Sequence, residues 1–418
     1  MLVWASFATA GLGQSITGED GKLSLSNLAP VLFAAVAGPA FLAEAKSVNK
    51  NIVGLFLLFN VCAMASFALF MFRYGWEPNF PVLLFQDVEL AFVLLLAWYA
   101  RRRHEEFFSV AKAGILCSTL IAAAYGIVQF RKPDVKGIVN IVTFSMDDKS
   151  QAAVLFCCWA YILLRYFDGW LTRIFAYGLL AMSLMTLSRL PAVFLPVMLV
   201  TLCVRTRYGF VIAAATVCGV VGAFVAYGDE LLLVFKALDR LSSPEAGDAT
   251  SAHLLLIESA LEMKFTDFTA FFFGTGPGNF SKALTSFPID IHQLESLDPA
   301  LVGDARLGRA PMHSTPISML LDYNIVIFSL LAFLALRAVR HLLEIRHYLD
   351  LMFLGTLCAA SLFYSLHNKP YFYLAIATIA IGTLEPCRLA FVPRNAAERE
   401  EYRQYQAAEE GHQGPDDL

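Results

Sequence analysis

The sequence predicts an all-α membrane protein of about twelve transmembrane helices, with one large loop between helices 9 and 10. Three observations predict it. Hydrophobic residues make up 58% of the chain and charged residues 16%, against about 25% charged in soluble domains, and the mean hydropathy is +0.60. Apolar runs close to the length that crosses a hydrocarbon core, about 20 residues at helical rise, recur from the first residues to residue 386. The strands of a closed barrel would show short alternating segments instead.

Apolar runs read against polar breaks give spans near 2–16, 26–44, 51–72, 80–100, 108–129, 149–168, 169–188, 190–204, 208–227, 316–337, 348–366 and 369–386. The first and eighth are short for a crossing. The chain thus divides into residues 1–227 with nine helices, a hydrophilic segment over 228–315, three helices over 316–386, and a charged tail over 387–418. Part of the tail, Asn395–Glu410, is rich in Ala, Glu, Arg and Gln and reads as a short solvated helix. No repeat relates the two halves, and no pair of matching broken helices suggests an inverted-repeat transporter.

Lys and Arg in the short connections set the orientation. With a cytoplasmic N-terminus, the inner connections hold Lys46, Lys50, Arg101, Arg102, Arg103, Arg165, Arg173, Arg205, Arg207, Arg337, Arg340 and Arg346. The outer ones carry scattered charges such as Lys22, Arg73, Arg131, Lys149, Arg189 and Lys369. Both termini fall inside and segment 228–315 falls outside, which in a bacterial inner membrane is the periplasm. The N-terminus has no basic run ahead of its apolar segment, so a cleaved signal peptide is not expected.

A net charge of −4 gives no basis for binding nucleic acid. All eight cysteines lie in or at the ends of apolar runs without a CxxC, which reads as packing. No DxD, HExxH or Cys/His cluster is present, so neither a metal nor a cofactor is expected.

Four places carry candidate chemistry. His313 precedes Thr315-Pro316, a helix start in which the hydroxyl caps and Pro takes the first turn. It is either an interfacial residue that closes the loop or a general base for a hydroxyl. Asp322 would lie about 9 Å into the tenth helix at 1.5 Å per residue. An intramembrane carboxylate there is either functional or one half of a structural ion pair. Arg189, in Ser188-Arg189-Leu190-Pro191 between two spans, offers a guanidinium fork to phosphate oxygens or anchors the break. Arg240, Arg306 and Arg309 are weaker cations of the long loop. Finally, Phe273-Gly-Thr-Gly-Pro-Gly-Asn-Phe280 follows a helical-looking stretch, Ser251–Lys264. It lacks the Gly-Lys-Ser/Thr of a P-loop; its glycines Gly274, Gly276 and Gly278 permit positive φ and a close backbone approach.

In this order, Ser188-Arg189 at an outer helix break, the Gly-rich turn, and His313-Ser314 before a span resemble the O-antigen ligase/polymerase superfamily. The resemblance covers the topology of nearly the whole chain, with its specific motifs between residues 185 and 330. It implies a metal-independent inverting glycosyltransferase that uses undecaprenyl-diphosphate-linked glycans in the periplasm. It further implies that Arg189 holds the diphosphate and that His313 deprotonates the acceptor, with Asp322 orienting His313 or an arginine. Many members carry an Arg ahead of the Gly-rich turn where this sequence has Ala252-His253-Leu254, leaving His253, Arg240 or Arg309 for the second cation. Asn324 stands where the ligase pattern has Gly, and Asp322 where Glu is common. These departures, with the acidic loop, favour polymerisation of O-antigen or exopolysaccharide repeats. The alternatives are ligation to lipid A core and transport of lipid-linked sugars. The implied partners are the lipid-linked donor, a lipid-linked or lipid A core acceptor, membrane lipids and a chain-length regulator.

Overall fold

A computed structural model describes residues 1–12, 25–43, 50–74, 91–100, 102–131, 143, 144, 146, 148–186, 188, 190–205, 211, 214, 218, 249–276, 279, 314–363, 366 and 369–384. Among these the fold is all-helical, with no strand. In the first half, helices Leu2–Thr9, Leu25–Ala43, Lys50–Tyr74, Ala91–Ala100, His104–Arg131, Lys149–Tyr166, Trp170–Met185 and Leu190–Arg205 follow the apolar runs. Two further helices, Ala249–Thr266 and Phe268–Phe273, stand in the segment between the ninth and tenth runs. After them come Thr315–Asp322, Ile325–Glu344, Tyr348–Phe363 and Pro370–Leu384. Most of the ninth run and the tail 387–418 lie outside the described residues.

The core is built around Lys149–Tyr166. Asp148 starts this helix by accepting from the Ser150 and Gln151 amides at 2.6 and 3.0 Å. Every residue from Ala152 to Tyr166 is buried, as expected of a helix apolar all round that other helices enclose. Helix Leu2–Thr9 packs Phe7 against Trp159, ring centroids 5.6 Å apart. Helix Tyr348–Phe363 stacks Phe353 on Tyr161 at 3.9 Å.

These contacts fix directions. Ser188, ahead of Leu190–Arg205, hydrogen-bonds Ser150 at 3.1 Å, so those two helices begin at the same end. Pro370–Leu384 also runs parallel to the central helix. Tyr371 near its start is within electrostatic reach of Asp148, and Gly382 near its end sits against the Tyr166 ring so closely that a methyl group would overlap it. Thr315 joins the same end, its hydroxyl accepting from the Leu366 amide at 2.7 Å. Four helices therefore start together.

The opposite end is locked by Asp350, 0% exposed. Tyr161 and Tyr166 donate to its Oδ1 at 2.7 and 2.9 Å. Arg165 reaches Oδ2 from Nη2 at 3.0 Å, and His347 Nδ1 lies 2.9 Å from the same oxygen. A buried carboxylate is tolerated only when charge and hydrogen bonds compensate it this fully. Arg165, counted by its position as a loop charge, is a core residue instead.

The exterior is apolar. Val36, Leu57, Val61, Phe72, Leu120, Ile127, Val128, Val326, Phe333 and Leu336 all project outward from helices. Among the described residues two helices are long and apolar enough to cross a membrane, His104–Gln129 and Ile325–Glu344, and shorter apolar helical stretches such as Trp170–Met185, Leu190–Val204, Tyr348–Leu362 and Pro370–Thr383 run 10–17 residues.

One expectation is corrected. The tenth run does not form one helix over 316–337: the chain leaves helical geometry at Tyr323 (φ −108°, ψ 159°) and Asn324, then restarts. Asn324 caps the new helix by accepting from the Ile327 amide at 2.7 Å, so an N-cap occupies what reads as a continuous span. Thr315 is likewise the first helical residue and not the cap.

Replacing Asp350 by Ala leaves Arg165 buried without its carboxylate, at a cost of about 3–5 kcal/mol. Unfolding of the purified protein in detergent measures this; a loss below about 1 kcal/mol would deny Asp350 its locking role.

Candidate functional site

The Gly-rich turn closes on the break after Asp322. Asp267 first caps Phe268–Phe273, accepting from the Thr269 and Ala270 amides at 2.7 and 3.0 Å. Its carboxylate also pairs with Arg73 at 3.1 Å. At the other end of this short helix the chain turns at Gly274 (φ +75°, ψ 175°). The Thr275 amide then donates to Leu321 O at 2.8 Å and the Gly276 amide to Asp322 O at 3.1 Å. Asn279 braces the turn from inside, its side-chain amide donating to Thr275 O at 3.1 Å. Ser66 on Lys50–Tyr74 donates to Phe273 O.

Glycine is required at two positions of this turn. A Cβ on Gly274 would stand 2.6 Å from Asp322 O and from Tyr323 C, and one on Gly276 (φ +80°) 2.9 Å from the Phe67 ring. The close approach expected of the turn is thus to the backbone at residues 322–323. Gly278 lies outside the described residues.

Asp322 is the last residue of Thr315–Asp322 and is 1% exposed. It therefore stands at the break, not within a continuous helix. Ser318 donates to its Oδ2 at 3.3 Å. The nearby cation is Lys264, which is 0% exposed and donates to Ala270 O at 2.7 Å and Tyr323 O at 2.8 Å. Burial pulls this ammonium from 10.5 down to about 8, and the Asp322 carboxylate opposes that shift. The sequence marked Lys264 only as the end of the helical-looking stretch Ser251–Lys264. The signal was its register: Leu256, Ala260 and Met263 are buried on the same helix, and Lys264 continues that stripe at i, i+4, i+8.

The second part of the site is the end where four helices start. Ser188 accepts from the Leu190 amide at 3.3 Å, and Asp148 occupies the first amides of the central helix. Ser314, 1% exposed and extended, makes no side-chain cap on Thr315–Asp322. Ser188 and Ser314 are the sequence neighbours of Arg189 and His313.

Arg189, Arg240, Arg309 and His313 lie outside the described residues. His253 stands in the first turns of Ala249–Thr266, with its side chain outside the described residues. Asp322, Gly274 and Gly276 are thus the sequence-derived site residues whose surroundings are described, and they form one contact. Among the described residues no three His, Cys, Asp or Glu side chains stand together as metal ligands. The cysteines described, Cys62, Cys117, Cys157, Cys158, Cys203, Cys218 and Cys358, are free thiols.

No protein-family model matches the chain, and no curated protein matches it.

Gly274→Ala is expected to destabilise the protein by about 2 kcal/mol or more, because its φ/ψ pair is essentially a glycine conformation and its neighbour is rigid backbone. Gly276→Ala, which meets a side chain, is expected to lose less. Thermal unfolding of both variants ranks them, and the reverse order would contradict the seating of the turn on Asp322.

Proposed function

We propose that the chain is a membrane glycosyltransferase of the bacterial inner membrane that polymerises oligosaccharide repeats carried on undecaprenyl diphosphate. In this reading it crosses the bilayer about twelve times, both termini are cytoplasmic, and residues 228–315 form a periplasmic cap. An apolar exterior around buried ionic groups favours a hydrocarbon surrounding, where outward apolar side chains meet lipid. Segments shorter than the hydrocarbon thickness fit by locally thinning the bilayer.

The observation that carries the proposal is the shared end of the four helix starts. Ser188 and Ser314 stand ahead of two of those helices, and their neighbours in sequence are the candidate phosphate ligand Arg189, which joins Ser188 to the helix start at Leu190, and the candidate base His313, which precedes Ser314. A guanidinium fork suits the oxygens of a diphosphate. The reaction balances without a metal. His313 takes the proton of an acceptor hydroxyl, the oxygen attacks the anomeric carbon from the face opposite the diphosphate, and the carbon–oxygen bond to the diphosphate breaks. Charge developing on the leaving diphosphate is where fixed cations and amides act most strongly. Asp322, held at the far end of the helix that Ser314 begins, orients this end of the site.

The acceptor is read from charge. Acidic residues of 228–315, Asp229, Glu230, Asp239, Glu245, Asp248, Glu258, Glu262, Asp267, Asp290, Glu295, Asp298 and Asp304, outnumber the basic Lys236, Arg240, Lys264, Lys282, Arg306 and Arg309. Burial of Lys264 withdraws one of those cations from the surface. An acidic cap repels an anionic lipopolysaccharide core and so favours a second lipid-linked repeat as acceptor.

His313→Ala is expected to lower transfer about 10²–10⁴-fold while the protein remains inserted. Arg189→Ala and Arg189→Lys are both expected to fail, because an ammonium lacks the bidentate fork. Turnover of lipid-linked donor in vesicles measures all three, and a near-normal rate in His313→Ala would remove the base from the mechanism. A cysteine at position 262, exposed on Ala249–Thr266, is expected to react with an impermeant thiol reagent from the periplasmic side; labelling only from the cytoplasm would overturn the orientation.

A further inference from the structure

Three successive carbonyls at the C-terminal end of Thr315–Asp322 have lost helical partners to the break. Each receives a donor from segment 264–276: Leu321 O from the Thr275 amide, Asp322 O from the Gly276 amide, and Tyr323 O from Lys264 Nζ. The amides satisfy two peptide groups and nothing more. Lys264 does two further things. Its second bond, to Ala270 O, ties the end of Ala249–Thr266 to Phe268–Phe273 and so sets where the Gly-rich turn begins. Its charge also stands near Asp322, a carboxylate 1% exposed at the negative end of a helix dipole, where an anion is disfavoured without a cation.

Among the described residues the other charged groups around Lys264 point elsewhere. Glu258 and Glu262 on its own helix are exposed, and Asp267 is held by Arg73 of Lys50–Tyr74. On Thr315–Asp322 the titratable group is Asp322.

We propose that Lys264 is a positioning residue of the transfer site: it holds Asp322 and the break behind it, and through the helix Thr315–Asp322 it fixes the end at which Ser314 stands. This rests on the transfer reading above. Lys264 touches no substrate in this role. It acts on the geometry of the reacting end, so its loss lowers the rate of the bound complex more than the affinity for donor.

The test uses the full chain in vesicles with lipid-diphosphate-linked donor and acceptor, comparing Lys264→Met, Asp322→Asn and the double variant. Lys264→Met is expected to lower kcat at least about tenfold with donor KM within about twofold. The double variant is expected to be no slower than the slower single variant, because both substitutions disable one unit. Lys264→Gln, which keeps an N–H donor without the charge, separates the two duties and is expected to lower kcat with less loss of stability than Lys264→Met. Wild-type kcat in both Lys264 variants, or losses that multiply in the double variant, would overturn the proposal.

A second arm does not depend on turnover. The folded-state Lys264 ammonium titrates near 8 and the unfolded one at 10.5, so between those values the unfolded chain binds more protons and stability rises with pH. The stability of wild type relative to Lys264→Met is therefore expected to increase from pH 7.5 to pH 10. A pH-independent difference would deny that the Lys264 ammonium is buried against Ala270 O and Tyr323 O. If the buried ammonium stands in this arm while wild type makes no glycosidic bond, the transfer reading has failed and the role given to Lys264 goes with it.

Discussion

Lys264 Nζ, fully buried between Ala270 O and Tyr323 O, is the interaction on which the arrangement at the site depends. A helix that stops inside a bundle leaves its last carbonyls facing a region without water, where each unmet polar group is destabilising by about 1–3 kcal/mol. The break at Tyr323 and Asn324 is stable because donors arrive from a segment 46–59 residues earlier in the chain. The same contacts decide where the Gly-rich turn lies, how close its backbone comes to Asp322, and where the short helix beginning at Thr315 is anchored. Turn, break and carboxylate are one construction, and none has this geometry alone.

A second buried ionic group does for the opposite end what Lys264 does here. Asp350 gathers Arg165, Tyr161, Tyr166 and His347 around one carboxylate. It fastens the end of the central helix to the start of Tyr348–Phe363. Between the two polar ends the interior is aliphatic and aromatic, and outside it are more apolar side chains. Charges buried inside and valines, leucines and phenylalanines outside are the distribution that supports the proposed hydrocarbon surrounding. That distribution is why a diphosphate-carrying lipid with a long apolar tail is a physically coherent substrate.

The all-helical class was legible because apolar runs survive any detail of packing, and the helices of the first half follow those runs. The break was not legible. Residues 317–328 read Ile-Ser-Met-Leu-Leu-Asp-Tyr-Asn-Ile-Val-Ile-Phe, a run with polar residues but no glycine or proline, and the donors that end the helix come from a distant segment. Asn324 carried the signal, since Asn is a strong N-cap, but an Asn within an apolar run reads equally as a polar residue facing a neighbouring helix. The glycines of 274–276 announced a tight turn, while the backbone they approach is set by tertiary contact. Arg165 and Asp350 stand at the ends of different helices 185 residues apart, so position alone marked Arg165 as a solvated connection charge. Lys264 was concealed by sitting in a polar segment, although its place on the Leu256, Ala260, Met263 stripe identified it.

The central claim is that a hydroxyl displaces a lipid diphosphate in one inverting step at the end of the bundle where Ser188 and Ser314 stand. The most direct measurement is the anomeric configuration of the bond formed when purified protein in vesicles receives an undecaprenyl-diphosphate-linked repeat of known configuration. Nuclear magnetic resonance of the released glycan reads it. The account predicts a new glycosidic bond whose configuration is opposite to that of the donor. Retention of the donor's configuration, or donor returned with no bond made, would contradict it.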